Sequence, residues 1–254
     1  MDILVDGLLE IAERGDSARF EVKFVIPKHQ ILRLRGWVLS SPLNFSRSFP
    51  NRQINSLYLD SWDFRSFNDN TQGISRRAKI RLRHYGTNDP DIVFLEAKLR
   101  QSQTGYKLKY PITDSNLTRR FMQQNPGQAR GPNGWIKGLA ATSNIAKPLE
   151  HGLPLLFPTV EVSYQREYFV SMDGDMRLTI DTGVRYRRAG SETGKFWKDE
   201  LAVCELKTNA ASSRNALFSA PSLPFRMTRN SKYCRAVATV CEALVPREHW
   251  DSYV

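Results

Sequence analysis

The stretch Ala78-Lys-Ile-Arg-Leu-Arg-His-Tyr85 places Lys79, Arg81 and Arg83 at every second position, with Ile80 and Leu82 between them. In a β-strand that spacing puts the cations on one face and the aliphatics on the other. The device recurs. Phe94, Glu96, Lys98 and Arg100 alternate with Val93, Leu95, Ala97 and Leu99. Arg177, Thr179 and Asp181 alternate with Leu178 and Ile180, and Glu205 and Lys207 with Cys204 and Leu206. In Arg19 to Ile26, Glu21 and Lys23 alternate with Val22 and Phe24. One charged strand face is ordinary on an exposed sheet. These faces, however, use Arg and Glu where exposed strands often use Thr or Ser. An acid followed two places on by a lysine occurs three times: Glu21/Lys23, Glu96/Lys98 and Glu205/Lys207. Closing such strands on one another turns the charge inward and the aliphatics outward, against helices.

The expected fold is therefore α+β but mainly β: an eight-stranded, mostly antiparallel closed barrel with helices packed outside. The strand patterns run over residues 19–26, 55–60, 77–85, 92–100, 105–112, 159–170, 175–188 and 200–208. Residues 1–18 read as a helical extension with Ile3, Leu4, Leu8, Ile11 and Ala12 near one side. Residues 113–158, rich in glycine and proline, read as an inserted lobe. A helix with a Tyr233/Val237/Val240/Cys241/Leu244 stripe is predicted over residues 231–244. The barrel domain spans 19–245, and 246–254 is a tail.

Lys and Arg number 37 against 26 Asp and Glu, a formal charge of +11 in 254 residues, which favours an anionic partner. Two like charges about 6 Å apart at an effective dielectric of about 20 repel by roughly 3 kcal/mol. An empty tunnel of cations is strained, and a chain of phosphates relieves it. Cys204, Cys234 and Cys241 suit neither a disulfide framework nor a metal knuckle. The four histidines have no ligand spacing. No apolar run reaches the roughly 18 residues of a membrane helix, and the acidic N-terminus is unlike a secretory signal. A cytoplasmic location is expected.

The motifs FEVKF, SLYLD, KIRLRHY, FLEAK, YQREYF, MRLTID, CELK and SKY follow one another in the order seen in the VTC domain. The chain thus resembles, over about residues 19–240, the catalytic domain of the polyphosphate polymerase of the vacuolar transporter chaperone, within the triphosphate tunnel metalloenzymes. The resemblance implies that Lys23, Arg81, Arg83, Lys98, Arg166, Arg177 and Lys232 bind phosphate. Arg81, Arg83, Lys98 and Arg177 would carry the transfer. Glu205, with Glu21, would hold Mn²⁺ or Mg²⁺. It also implies ATP or another nucleoside triphosphate as donor and inorganic polyphosphate or triphosphate as the other substrate. Nucleic acid is not expected, and any membrane-protein partner would be a separate chain. A triphosphatase using water as acceptor, and a polyphosphate sensor without catalysis, need the same grip.

The residue chemistry agrees with most of these roles. Arginine forks match phosphate oxygens bidentately, and Lys232 opens a helix whose N-terminus favours anions. Glu205 is a hard oxygen ligand. The plainer role for Glu21 and Glu205 is to neutralise neighbouring lysines, and Glu96 and Asp181 read as structural partners. Arg166 shares parity with Val160, Val162 and Tyr164, which should face away from the tunnel, so its role requires a bulge. Gly190-Ser-Glu-Thr-Gly-Lys195 imitates a phosphate loop, but its first glycine is misplaced and Phe196 stands where Ser or Thr is needed.

Overall fold

The computed structural model describes residues 2–15, 19–86, 92–102, 104–114, 145–191, 195–209 and 224–241. The strands are β1 (Arg19–Pro27), β2 (Ser46–Asp60), β3 (Arg76–Tyr85), β4 (Val93–Gln101), β5 (Thr104–Ile112), β6 (Phe157–Val170), β7 (Met176–Arg188), β8 (Trp197–Lys198) and β9 (Leu201–Asn209). The helices are α1 (Asp2–Gly15), α2 (Ile31–Ser40), α3 (Arg65–Thr71), α4 (Lys147–Gly152) and α5 (Lys232–Val240). The sheet order is β6-β2-β3-β4-β5-β1-β9-β7, with the short β8 on β7 and a further pairing between β6 and β7. All of its ladders are antiparallel, and the β6–β7 ladder joins the two ends. The weak seam lies between β1 and β5, where the register holds one pair, Arg19↔Gly105. Continuous hydrogen-bonded closure of the expected barrel does not extend across that seam. Side chains span it instead: Lys98 on β4 donates to Glu21 on β1 at 3.2 Å.

The aliphatic faces point outward as the alternation requires. Ile80, Leu82, Leu95 and Leu99 pack against Leu4, Val5, Leu8 and Leu9 of α1. Ile26, Leu178, Ile180 and Leu206 pack against Leu34 and Val38 of α2. Helix α1 is thus part of the core. Its buried stripe is Leu4, Val5, Leu8, Leu9 and Ala12, whereas Ile3 is 89% exposed. The stripe is rotated from the expected one because the sheet takes Val5 and Leu9. Gly7 allows a close approach to α4, since a β-carbon there would lie 2.8 Å from Pro148. Of the expected insert, residues 115–144 lie outside the described residues; Leu149, Leu153 and Leu156 belong to the α1 core.

The alternation predicts every helix outside the strands, and the structure corrects this for α5. Helix α5 sits on that face, with Tyr233, Ala236 and Val237 packed against Ile54, Tyr58, Val160, Val162 and Tyr164. Ser231 caps its start, accepting from the Cys234 N–H. The expected Leu244 lies outside the described residues. Half of the interior is therefore an apolar seat for α5, and the other half is polar. No helix among the described residues is long and apolar enough to cross a membrane.

Candidate functional site: an enclosed basic cavity

Three ion clusters build the polar half. On the β1–β9 ladder the register sets Glu21 opposite Lys207 and Lys23 opposite Glu205. Because both strands carry acid-x-lysine and run antiparallel, acids and lysines form a checkerboard. Glu21 lies 3.0 Å from Lys23 and 3.2 Å from Lys98, and Glu205 lies 3.0 Å from Lys207. On β3, β4 and β5 the fully buried Glu96 meets Arg81 at 2.7 Å, Arg83 at 3.6 Å and Lys107 at 2.6 Å. At the start of α5 the fully buried Asp181 accepts from Arg166 at 2.5 Å and lies 2.5 Å from Lys232. Arg83 also donates to the Tyr164 hydroxyl at 3.1 Å, and Arg81 to that of Tyr58 at 2.9 Å.

These clusters line a cavity of about 180 Å³, whose walls carry ten Lys and Arg side chains against two carboxylates, Glu21 and Glu205. Lys23, Arg81, Arg83, Lys98, Arg166 and Lys232 all line it. Arg177 does not: it is exposed near the start of β7, opposite Val170 and Lys207. Its parity is right, but it lies four residues before Asp181, beyond the cavity wall. For Arg166 the reason differs from the one anticipated. The β6–β7 register does shift between Ser163 and Gln165, where Gly183 adopts φ 59°. The extra residue, however, is on β7, and β6 keeps its parity. Val160, Val162 and Tyr164 already face inward, beneath α5, and Arg166 follows them into the polar half.

Sequence reasoning passed over Lys79, Lys107, Lys207, Tyr58 and Tyr164 as site residues, all of which line the cavity. Alternation in GYKLKYPI and CELK carries the signal for Lys107 and Lys207. Nothing in the sequence marks Tyr164, because its apolar neighbours mimic an outward face.

Burial alone would push the Glu96 carboxyl up, but Arg81, Arg83 and Lys107 hold it well below the usual range. Burial opposes ionisation of Asp181, Glu205 and Glu21 as well. Arg166 and Lys232 hold Asp181 low, Lys207 and Lys23 hold Glu205 low, and Lys23 and Lys98 hold Glu21 low. Lys98 and Lys79 bear the cost of burial. Burial pushes Lys98 down to about 7, with Lys23 and Lys207 adding repulsion. It pushes Lys79, which donates to Asn70 and Ser231, down to about 8. An incoming anion restores these protons. Titration with sulfate, which carries no titrating proton near neutrality, is therefore expected to take up protons at pH 8 and almost none at pH 6. Calorimetry in buffers of different ionisation enthalpy reads the difference, and proton release at pH 8 would contradict this electrostatic picture.

Among the described residues no group of three or more His, Cys, Asp or Glu side chains could hold a metal alone. Glu21 and Glu205, diagonal neighbours across β1 and β9, offer two hard carboxylates. That fits a small divalent ion that arrives on phosphates and keeps their oxygens and water as its other ligands.

Fold and cavity together define an antiparallel β protein with a cation-lined cavity among its strands. The VTC domain model matches residues 18–241, and the chain belongs to the VTC domain family. No curated protein matches the chain. Among solved structures it is similar to a proposed adenylate cyclase from Bacillus halodurans, with 14% identity and a TM-score of 0.46, over 85% of this chain and 95% of that one. It is also similar to a proposed adenylyl cyclase from Hippeastrum described with a dominant triphosphatase activity (11% identity, TM-score 0.44, 89% and 97% covered). The Mimivirus capping enzyme triphosphatase is a third (12% identity, TM-score 0.43, 86% and 91% covered).

Proposed function

We propose that this chain is a metal-dependent phosphotransferase of the polyphosphate polymerase type, moving the γ-phosphate of ATP onto a polyphosphate chain. The observation that supports this most is the excess of cations over carboxylates on the wall of a cavity within the sheet. Charge of that kind is stabilised by a chain of phosphates and by little else of similar width. Arg81 and Arg83, held by Glu96, line the cavity on β3. Arg166 and Lys232, held by Asp181, supply a second cation cluster to the same lining. Lys98 and Lys23 lie beside the carboxylates. Phosphoryl transfer asks the protein chiefly for alignment and charge stabilisation, and no side-chain nucleophile is needed. A divalent Mn²⁺ or Mg²⁺ held by Glu205 and Glu21 would neutralise charge at the transferring group. Incubation of the protein with ATP and Mn²⁺, resolved on a gel, is expected to yield long polyphosphate. Free phosphate alone would replace this reading with a triphosphatase using the same grip. Tight polyphosphate binding with no product would replace it with a sensor.

Arg83→Ala is expected to lower tripolyphosphate affinity by about 1.5–3 kcal/mol, the range for a charged hydrogen bond. A calorimetric titration checks it, and an unchanged affinity would remove Arg83 from the site.

A further inference from the structure

One rung beyond the cavity, five neighbouring strands carry a belt of a different chemistry. Tyr85 lies two residues past Arg83 on β3, and Phe94 two before Glu96 on β4. Lys109 lies two past Lys107 on β5, and Tyr168 two past Arg166 on β6. Parity therefore gives them the same inner face as the cavity wall, displaced by about 7 Å along each strand. On β2, Arg52 shares the face of Ile54 and Tyr58. A bulge between Phe49 and Arg52 brings Phe49 round to the same side, opposite Tyr168. The Arg52 guanidinium stands 5.2 Å from the Phe49 ring and 6.0 Å from those of Tyr85 and Tyr168. The Lys109 ammonium stands 3.6 Å from the Phe94 ring. Phe49 meets Tyr168 edge-on at 5.7 Å, and Tyr85 meets Phe94 edge-on at 6.0 Å.

Cations in the cavity are held mostly by carboxylates. Among the described residues, those of the belt are held by aromatic rings. Phe49 is 53% exposed, an aromatic side chain left open at the channel rim. The second cavity, of about 640 Å³, adjoins the first around Lys79, Lys98 and Asn230 and includes Arg77 and Arg229, and among the described residues no aromatic ring lines it. Among the described residues the two ends thus differ: one rim offers rings, the other lysine, arginine and amide groups beside Val22, Leu99 and Met227.

We infer that the aromatic belt around Phe49 and Arg52 binds the nucleoside end of the donor triphosphate. This rests on the proposed function and adds to it a direction and a base-binding subsite. A ring face and a guanidinium plane are the surfaces on which a nucleobase stacks, without regard to which base it is. With the base at this rim and the phosphates one rung inward, the γ-phosphate points toward the ring-free cavity. The acceptor chain then occupies that second end.

The test compares ATP with tripolyphosphate on the full chain without divalent metal, by calorimetry. Phe49→Ala, an exposed substitution, is expected to weaken ATP by about 5- to 100-fold, the range for one stacked base. Arg52→Ala should act in the same direction, while tripolyphosphate affinity in Phe49→Ala stays within about twofold. Equal losses for both ligands would make the belt a phosphate grip and overturn the inference, as would no loss for either. A wild-type protein that binds tripolyphosphate but whose ATP affinity ignores Phe49 overturns the inference alone. One that binds neither ligand overturns the proposed function with it.

Discussion

Glu96→Ala is expected to lower the unfolding free energy by about 3 kcal/mol, near the low end of what removing one partner of a buried ion pair costs. Glu96 is fully buried and is the carboxylate that Arg81, Arg83 and Lys107 share. Without it three cations face one another with no counter-charge. The lower end applies because Lys107 stays partly open to the cavity, at 38% side-chain exposure. For a chain of this size the thermal midpoint should fall on the order of 10 °C. Tripolyphosphate should restore part of the loss, since its oxygens replace the missing carboxylate. The sign with pH also follows. A carboxyl held below its ordinary value stabilises the fold above that value, and the contribution is lost as pH falls through the folded-state value. The variant should therefore lose less stability than wild type between neutrality and strong acid. A variant that melts with wild type at every pH would remove Glu96 as the keystone of this cluster.

Glu205→Gln is expected to cut metal-dependent turnover by about 10²–10³-fold, the effect of losing one electrostatic stabiliser of a transition state. Tripolyphosphate affinity should be kept or raised, because the substitution removes a negative charge from a basic wall. Glu205 lies within 3.0–3.9 Å of Lys207, Lys232, Arg166 and Lys23, so a purely neutralising role is the rival account. The two accounts separate on the metal. If Glu205 is a ligand, the Mn²⁺ concentration for half-maximal rate rises sharply. If it only balances lysines, that concentration stays put and stability changes instead. Normal turnover in the variant removes the metal role altogether.

Much of this architecture was legible because strand periodicity is local. Alternation alone oriented Lys79, Arg81 and Arg83 on one face and Ile80 and Leu82 on the other, and the same holds for β1, β4 and β9. What was not legible depends on distant packing. Tyr164 and Arg166 looked misdirected because the sequence does not say that α5 occupies half of the interior and turns an inner face apolar. Arg177 has the parity of a cavity residue but lies too far along β7, and strand shear decides that. The phase of the α1 stripe was off because Ile3, Val5 and Leu9 are equally apolar, and only the sheet surface chooses among them. The Phe49 side of the belt was hidden by a bulge at an exposed strand end that pairwise alternation does not register.

The central claim is that cations from separate strands and from α5 grip one phosphate chain inside the sheet. A crystal structure of the protein soaked with tripolyphosphate tests it most directly. The account predicts phosphorus density between Arg81 and Arg83 on one side and Arg166 and Lys232 on the other, with Lys98 in contact. Density found only on the outer surface, with that space filled by water, would contradict it.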